Sequence, residues 1–347
     1  MNSFVRTIFD DMKKILITGG AGYIGSHTAV ELVKSGYEPV IIDDLSNSNE
    51  NVLKNLEEVI GHKLAFYKGD CNDRGILEQI ASEHTLQGVI HFAAFKAVGE
   101  STQLPLKYYQ NNIGSLVILL QFMKDHAIKD LVFSSSCTVY GQPDVLPVTE
   151  ATPRKDAESP YGNTKKVCED ILVDFIKSKP GNRVISLRYF NPVGAHPSSK
   201  IGELPIGTPA NLVPFVTQTA AGIREKLTVF GDDYDTTDGS CVRDFIHVMD
   251  LADAHVKALA YLGEQEANFY DVFNVGTGKG NTVLEVIKTF EAVNNVKLNY
   301  EIGPRRAGDV IKIWADTTKI NEVLDWHPSY SLEDSMRDSW NWQKTLN

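Results

Sequence analysis

A tyrosine and a lysine stand four residues apart near the middle of the chain, at Tyr161 and Lys165. Ser159 is a suitable N-cap and Pro160 a suitable first helical residue, so a helix beginning here places both side chains on one face. A tyrosine with its ordinary pKa of about 10 is a poor base at neutral pH, and a neighbouring ammonium favours the phenolate. The pair indicates proton transfer at a hydroxyl group, although this spacing alone more often marks a solvated helix face.

Three serines, Ser134-Ser135-Ser136, end the apolar segment DLVF that precedes this helix. The carboxyl ends of parallel strands border the ligand crevice of an open α/β sheet. Ser136 is therefore a candidate hydrogen-bond partner for a reacting oxygen beside Tyr161, whereas Ser134 and Ser135 are interpreted as structural. The predicted catalytic residues are Ser136, Tyr161 and Lys165.

A glycine-rich turn directly follows the first apolar segment, KKILITG. Gly20, Gly22 and Gly25 satisfy the pattern GxGxxG, and Gly19, Gly22 and Gly25 satisfy GxxGxxG. Glycines at these positions allow a tight turn and let backbone N–H groups approach a pyrophosphate at a helix N-terminus. Because the turn lies between a predicted strand and a predicted helix, it indicates a dinucleotide site rather than an ordinary glycine-rich turn.

Carboxylates at the ends of the next two predicted strands indicate which dinucleotide is bound. Asp43 follows the glycines by about 20 residues, where it can accept hydrogen bonds from the adenosine ribose hydroxyls. Asp43 and Asp44 would repel a 2′-phosphate, and no Lys or Arg follows before Lys54. The sequence therefore predicts NAD rather than NADP. Asp70, at the end of the third strand, is placed either to meet the adenine edge or to form an ordinary strand-end turn.

Apolar strand-like segments alternate with amphipathic helical segments over residues 13–150, and the pattern continues past Pro160. This rhythm predicts an α/β fold with a doubly wound parallel sheet of the Rossmann type. After Asn191 the rhythm is lost in a segment rich in Gly, Pro and Ser. We expect an N-terminal extension at residues 1–12, an NAD-binding Rossmann domain at 13–190 with a segment near 240–280 returning to it, and a smaller mixed α/β substrate-binding domain mainly at 191–347.

Composition limits the classes of partner. The 347 residues carry a net charge of −11, which argues against nucleic acid because phosphate contacts need a basic surface. No apolar run approaches the ~18 residues of a membrane span, and the first residues do not read as a secretory signal. The four cysteines are far apart and no metal-binding pattern occurs, so we expect a reducing, cytoplasmic setting and no metal.

Longer segments of the chain resemble one family from Lys13 to about Gln343. They are LITGGAGYIGSHT, KAVGES, VFSSSCTVYG, PYGNTK, LRYFNPVGAHP, VRDFIHVMDLADAH, FNVGTG and RRAGDV. With the glycine turn and the YxxxK pair, they resemble the UDP-glucose 4-epimerase family, a branch of the extended short-chain dehydrogenases/reductases. The resemblance implies an NAD-dependent isomerase that interconverts UDP-glucose and UDP-galactose in galactose metabolism.

The resemblance also implies a mechanism in which NAD⁺ stays bound. Tyr161 removes the proton of the 4-hydroxyl group while hydride passes from C4 to the nicotinamide. The 4-keto sugar then turns about its diphosphate link and receives the hydride on its other face, so no net oxidation results.

Residues that match family positions extend the predicted site. The predicted cofactor contacts are Gly19, Gly22, Tyr23, Ile24, Gly25, Asp43, Asp44, Leu45, Ser46, Asn47, Ser48, Asp70, Cys71, Phe92, Ala93, Ala94, Lys96, Asn111, Ser136, Tyr161, Lys165 and Phe190. The predicted substrate contacts are Lys96, Ser136, Tyr161, Asn191, Asn211, Leu212, Phe230, Arg243, Arg306, Asp309 and Ile313. Arg243 and Arg306 can clamp a diphosphate even on an acidic protein, although without the resemblance each would be interpreted as a surface ion pair.

Several positions depart from the usual family sequence without removing a catalytic group. The segment HFAAFK replaces the common FAGLK at the nicotinamide wall. Cys71 stands where an aliphatic residue is usual, Cys137 where Ala is usual, Ala210 where a second Asn is frequent and Phe245 where Tyr is common. Ile313 stands where family members carry a bulky Tyr or a small residue. Because Ile is intermediate in size, the resemblance leaves activity on N-acetylated UDP-sugars open.

Other functions use the same scaffold. Nucleotide-sugar 4,6-dehydratases usually carry an Asp-Glu pair just after the Ser or Thr of this strand, where this chain has Cys137 and Thr138. Decarboxylases of glucuronate derivatives lack the long matching segments. A non-catalytic NAD-binding relative typically loses the Tyr or the Lys, and this chain retains both.

The family commonly forms dimers through helices that flank the active-site helix. Ile171, Leu172 and Phe175 form an apolar stripe that is consistent with such an interface or with ordinary core packing. We therefore expect a homodimer that takes a UDP-sugar as its small-molecule partner, with no membrane partner.

Overall fold

The computed structural model describes residues 12–306 and 310–346. Its strands are β1 (Lys13–Thr18), β2 (Tyr37–Asp43), β3 (Ala65–Lys68), β4 (Leu86–His91), β5 (Asp130–Ser134), β6 (Arg183–Tyr189), β7 (Asn191–Val193), β8 (Leu227–Phe230), β9 (Val242–His247), β10 (Phe269–Val275), β11 (Gly280–Thr282), β12 (Tyr300–Gly303) and β13 (Lys312–Ile313). The expected N-terminal extension lies almost wholly outside the described residues, as does Asp309.

Helices connect most of these strands. They are α1 (Tyr23–Lys34), α2 (Glu50–Ile60), α3 (Arg74–Glu83), α4 (Val98–Gln103), α5 (Pro105–Asp125), α6 (Pro160–Lys177), α7 (Leu212–Ala220), α8 (Val248–Leu262), α9 (Val283–Asn294), α10 (Thr318–Leu324) and α11 (Leu332–Lys344), with a 3₁₀ turn at Cys137–Tyr140. Helix α6, which carries Tyr161 and Lys165, begins as its sequence predicts, because Ser159 caps it by accepting the N–H of Gly162 at 3.1 Å and Pro160 is its first residue.

Seven parallel strands form the main sheet, in the order β10-β6-β5-β4-β1-β2-β3. Strand β1 pairs with β2 on one side and with β4 on the other, so the strand order reverses there. Connections on the two sides of such a point leave in opposite directions and open a crevice at the carboxyl ends of the strands. The predicted doubly wound fold is confirmed, and it places the ends of β1, β4 and β5 along one crevice.

The central strands are continuous apolar runs because helices cover both faces of the sheet. Successive side chains of a strand point to opposite faces, so Ile15 and Ile17 pack in one core cluster and Leu16 in the other. The first cluster includes Leu251 of α8, and the second includes Leu172 of α6. This two-sided burial holds the carboxyl ends of the strands in fixed positions.

A smaller mixed region covers one end of the crevice. Strands β7, β11 and β13 all pair with β9, and β8 pairs with β12. Strand β10, which lies between β9 and β11 along the chain, instead joins the main sheet beside β6. The exact domain boundaries stay a prediction.

Within residues 12–306 and 310–346, no helix is long and apolar enough to span a bilayer. The same residues contain no group of three or more His, Cys, Asp or Glu side chains placed to hold a metal ion.

Candidate active site

The glycine-rich turn between β1 and α1 is packed tightly against itself. Gly19 has a φ of +71°, and its N–H donates to the carbonyl oxygen of Ile42 at 2.9 Å. A Cβ at Gly25 would overlap the carbonyl oxygen of Gly19 and lie 2.8 Å from the Cα of Gly20. No side chain caps α1 at its N-cap residue, Gly22. The turn therefore offers uncapped backbone N–H groups at a helix N-terminus, which is a ready anion site.

Asp43 is hydrogen-bonded both to the glycine turn and to the loop that follows β2. Its Oδ2 accepts the N–H of Ala21 at 3.0 Å, and its Oδ1 accepts the N–H of Leu45 at 2.9 Å and the hydroxyl of Ser48 at 3.0 Å. Burial raises the pKa of Asp43, and these hydrogen bonds lower it. The carboxylate thus joins the end of β2 to the glycine turn, at the edge where a ribose contact is predicted.

One cavity of about 510 Å³ lies over the glycine turn, and its size is in the usual range for a ligand site, roughly 300–1,000 Å³. Most of the predicted cofactor residues line it: Gly19, Gly22, Tyr23, Ile24, Gly25, Asp43, Asp44, Ser46, Asn47, Ser48, Asp70, Cys71, Phe92, Ala93, Ala94, Lys96, Asn111, Tyr161 and Lys165. Of the predicted substrate residues, Lys96, Tyr161 and Asn211 line the same cavity. The structure therefore brings the glycine turn and the Tyr-Lys pair into one enclosure.

Some predicted contacts lie outside the walls of this cavity. They are Leu45, Ser136, Phe190, Asn191, Leu212, Phe230, Arg243, Arg306 and Ile313. Phe190 and Ile313 are 3% and 4% exposed and pack in one apolar cluster with Val139 and Tyr140. In the described structure, these two side chains act as core packing behind the site.

Tyr161 is buried at the floor of the site. It is 6% exposed, and it is hydrogen-bonded to Ser136. Burial raises its pKa well above the ordinary value, the nearby Tyr189 raises it further, and the hydrogen bond from Ser136 lowers it. Among the protein groups alone, desolvation of the phenolate outweighs the stabilising contacts. That Lys165 and the positively charged nicotinamide of NAD⁺ together lower this pKa stays a prediction.

Lys165 is also buried, and its ammonium group is hydrogen-bonded to the backbone. Its Nζ donates to the carbonyl oxygen of Ser134 at 2.7 Å and lies 4.9 Å from the ring centroid of Phe133. Burial lowers the pKa of Lys165 to about 8, while Cys168 and Glu169 raise it. The ammonium is thus held at the carboxyl end of β5 and is still mostly protonated near neutral pH.

Asp244 anchors the strand that carries the arginine of the VRDF segment, Arg243. Asp244 is fully buried and accepts the N–H and hydroxyl of Thr277 at 2.8 and 2.6 Å, the N–H of Gly278 at 3.1 Å and the N–H of Ala315 at 3.2 Å. Because successive strand residues face opposite sides, Arg243 points away from this anchor. Its Nη1 donates to the carbonyl oxygen of Val242 at 2.9 Å.

Strands β8 and β12 bring two other predicted substrate residues together. Phe230 ends β8 and is 43% exposed, and the guanidinium carbon of Arg306 lies 5.7 Å from its ring centroid. Phe230 is also the register partner of Gly303, three residues before Arg306. An exposed aromatic face beside a guanidinium suits a planar, anionic ligand such as a nucleotide.

Sequence reasoning missed several side chains of the cavity wall, and two of them, Tyr189 and Glu203, lie beside predicted site residues. Tyr189 lies at the carboxyl end of β6, a strand-end position that could have identified it. Glu203 lies in the Gly- and Pro-rich loop, where no pattern marked it. Its Oε1 accepts the Nδ2 of Asn211 at 2.7 Å and lies 3.5 Å from the Nζ of Lys96, so it joins a predicted cofactor contact to a predicted substrate contact.

The positions where a 4,6-dehydratase would carry acids hold neither carboxyl group. Cys137 and Thr138 begin the 3₁₀ turn after Ser136. Burial raises the pKa of Cys137 to about 12, so its thiol is neutral at ordinary pH. A thiol in this state and a threonine hydroxyl are poor substitutes for a carboxyl acid and base near C5 and C6 of a sugar.

Relatives with known names match nearly the whole chain. The chain is 48% identical over 329 residues to a UDP-glucose 4-epimerase of Erwinia amylovora, covering 95% of this chain and 97% of the relative. It is 49% identical over 331 residues to that of Bacillus subtilis (strain 168), with the same coverage of both chains. The chain belongs to the UDP-glucose 4-epimerase family. This membership confirms the resemblance inferred from the motifs.

Solved structures of the family have the same architecture. The UDP-glucose 4-epimerase from Bifidobacterium longum in complex with NAD⁺ and UDP superposes with a TM-score of 0.92 at 44% identity, covering 96% of this chain and 98% of that one. The enzyme from Stenotrophomonas maltophila, with bound NAD and formylated UDP-arabinopyranose, gives 0.93 at 45% identity, with the same coverage.

A broader family model, described as GDP-mannose 4,6 dehydratase, matches residues 16–339. Its name points to the dehydratase alternative, but a match over a shared scaffold does not settle which reaction is catalysed. Cys137 and Thr138 at the acid positions, together with the epimerase relatives, favour epimerisation over dehydration.

Proposed function

We propose that this chain is an NAD-dependent isomerase that interconverts UDP-glucose and UDP-galactose by inverting C4. One observation carries the proposal: the buried Tyr161 and Lys165 line the same cavity as the glycine turn. A base and a dinucleotide cradle in one enclosure suit redox chemistry at a sugar hydroxyl group. The named relatives support UDP-sugars as the substrates.

The described residues fit NAD. The close packing of Gly19 and Gly25, where a Cβ would overlap backbone, and the uncapped N-terminus of α1 form a cradle for a pyrophosphate. Asp43 lies where a 2′-phosphate would be repelled, which supports NAD over NADP. When bound, NAD accepts a hydride from C4 of the sugar and returns it.

The protein groups manage the proton at the C4 oxygen. Tyr161 takes this proton as the alcohol becomes a ketone and gives it back when the alcohol is re-formed. Ser136, bonded to Tyr161, stabilises the phenolate and can donate to the reacting oxygen. Because burial raises the pKa of Tyr161, a nearby positive charge is needed to make it a base at neutral pH, and Lys165 supplies one.

The other half of the substrate is proposed to lie against the smaller region. Arg243 and Arg306 would clamp the diphosphate, and Phe230 would offer an aromatic face to the uracil. Asn191, Asn211 and Leu212 would complete this binding surface. A diphosphate held at a distance from the reacting carbon leaves the sugar free to turn, as inversion at C4 requires.

The direct test is an assay of the purified protein without added cofactor. UDP-glucose should yield UDP-galactose, and UDP-galactose should yield UDP-glucose, with both reactions ending at the same ratio of the two sugars. Denaturation should release NAD in a near-stoichiometric amount. A dehydrated 4-keto-6-deoxy product, or an absolute requirement for NADP, would contradict the proposal.

We further propose that the enzyme is a homodimer formed through α5 and α6. Leu106 and Val117 on α5 are 80% and 37% exposed, and Ile171 on α6 is only partly buried. Leu172, in contrast, is fully buried in the core, so it takes no part in an interface. An apolar surface on adjacent helices suits a self-complementary contact.

Charged residues on this face are expected to separate the subunits. The double variant Leu106→Glu/Val117→Glu should elute as a monomer in size exclusion with light scattering, because it buries two carboxylates in an apolar interface. Val323→Glu is the control, since Val323 is 37% exposed on α10, away from α5 and α6. If the double variant and the control have the same mass as the unchanged protein, another surface forms the dimer.

We also place the enzyme in a reducing, cytoplasmic compartment. None of the four cysteines, which all lie in the described part of the chain, forms a disulfide, and Cys71, Cys168 and Cys241 are buried. Free thiols are typical of proteins kept under reducing conditions.

A further inference from the structure

Glu169 is a buried carboxylate that the proposed reaction does not use. It lies on α6 one helical turn after Lys165 and is 1% exposed. Its Oε1 accepts the hydroxyl of Ser135 at 2.6 Å and the Nε of Arg188 at 2.9 Å. Its Oε2 accepts the Nη2 of Arg188 at 2.7 Å and the Nη1 of Arg154 at 3.2 Å. Each carboxylate oxygen therefore has two donors, and the pairing with Arg188 is bidentate.

Two partners of Glu169, Ser135 and Arg188, connect it to the segment that carries Ser136 and to the turn that follows it. Ser135 lies between Ser134, whose carbonyl oxygen accepts Lys165, and Ser136, which is bonded to Tyr161. Arg188 lies on β6 and directs its Nη1 to the hydroxyl of Tyr140 at 3.0 Å, in the 3₁₀ turn that follows Ser136. One carboxylate thus ties α6 to the end of β5, to β6 and to the turn.

This arrangement has a geometric consequence. The bond from Ser135 to Glu169 and the bond from Lys165 to Ser134 both cross from α6 to the end of β5, one helical turn apart. Two hydrogen bonds from α6 to adjacent residues, Ser134 and Ser135, fix the helix against both sliding and rotation relative to the end of β5. The distance between Ser136 and Tyr161 depends on that fixed position.

We propose that Ser135, Glu169 and Arg188 form a positioning brace that sets the orientation of Lys165 and Tyr161 relative to Ser136. The inference rests on the proposed function, since it assigns these residues to the same reaction. Glu169 also supplies the buried negative charge nearest along the helix to Lys165. The brace therefore has two separable effects, one on geometry through Ser135 and one on the protonation of Lys165 through the charge of Glu169.

The charge effect has a definite direction. Burial lowers the pKa of Lys165 to about 8, and Glu169 opposes this shift. Removing the carboxylate should lower the pKa of Lys165 further, so the ammonium is lost at a lower pH.

Other titratable groups also surround this pair. The groups that face Lys165 and Tyr161 from the packed elements are Cys168 and Glu169 on α6, His91 on β4, Tyr189 on β6, Cys137 in the turn and Tyr108 on α5. His91 is kept neutral, because burial lowers its pKa to about 3.

Three variants of the purified enzyme, with the NAD that it carries, separate these effects. Ser135→Ala removes one crossing and keeps the charge, so kcat should fall about tenfold while KM and the pH profile stay unchanged. Glu169→Gln removes the charge, so the alkaline limb of the kcat profile should move to lower pH by roughly one unit. Asp130→Asn is the matched control, since Asp130 and Arg183 form a bidentate pair of 2.6 and 2.9 Å between β5 and β6 at their opposite ends.

The results decide the inference in either direction. Glu169→Gln leaves Arg188 without its counter-ion, so the pair Glu169→Gln/Arg188→Gln is measured beside it. The double variant should move the alkaline limb in the same direction but by less, because it also removes the positive charge of Arg188. The brace is refuted if Ser135→Ala keeps full kcat, if no charge-removing variant moves the limb, or if Asp130→Asn reproduces the changes. These comparisons need an unchanged enzyme that epimerises UDP-glucose, so failure of the proposed function itself shows first, in the unchanged protein.

Discussion

Tyr161→Phe is expected to lower kcat by about 10²–10⁴-fold, the usual contribution of a positioned acid–base group. Phenylalanine keeps the ring that fills this buried position and removes only the hydroxyl bonded to Ser136. The proton of the sugar hydroxyl group then has no acceptor, while the cavity keeps its shape. The KM for UDP-glucose and the amount of NAD released on denaturation should change little.

The control for this variant is Tyr67→Phe. Tyr67 donates to Oε2 of Glu83 at 2.6 Å and lies outside the cavity, so its loss removes a hydrogen bond without touching the site. Its kcat should stay within about twofold of the unchanged enzyme, with at most a small decrease in stability, about 1 kcal/mol. The mechanism would be overturned if Tyr161→Phe turned over within threefold of that control.

Gly25→Ala is expected to abolish the retention of NAD. The new methyl group would overlap the carbonyl oxygen of Gly19 and approach the Cα of Gly20 to 2.8 Å, and neither backbone atom can move without opening the turn. Overpacking of this kind costs about 1–3 kcal/mol, which corresponds to roughly a 5- to 150-fold loss of affinity when opening the turn relieves it. The purified variant should carry little NAD and should regain activity when NAD is added at high concentration.

Gly99→Ala provides the matched control. Gly99 lies in α4, and no atom is within 4 Å of the position that its Cβ would take. Alanine is a better helix former than glycine, so this variant should be as stable as the unchanged protein or slightly more so. If Gly25→Ala retained NAD as well as Gly99→Ala does, the glycine turn would not be the pyrophosphate cradle.

Local spacing accounts for the local structures that the sequence predicted and that the fold contains. Tyr161 and Lys165 share a helix face because a helix repeats every 3.6 residues, and Ser159 and Pro160 mark where that helix starts. The turn at residues 19–25 is just as local, since glycine is required wherever backbone packs against backbone. Alternating strands and helices also sufficed to predict the doubly wound sheet.

The pKa of Tyr161 shows where spacing fails. From sequence, a nearby ammonium suggested a lowered pKa, but only the folded chain reveals how completely the ring is buried and that Lys165 donates to Ser134. The cost of desolvating a charge depends on every neighbouring atom, so no short pattern encodes it. The packing of Phe190 against Ile313 is hidden for the same reason, because 122 intervening residues must fold before the two meet.

The sequence by itself determined the groups that could do chemistry, the dinucleotide that suits Asp43 and the family to which the chain belongs. Tertiary structure alone decided that Glu203 joins Lys96 to Asn211 and that Glu169 pairs with Arg188 and Ser135. The physical reason is that backbone geometry repeats over a few residues and leaves periodic patterns. Contacts between distant side chains depend instead on how the sheet is wound and on how its faces are covered.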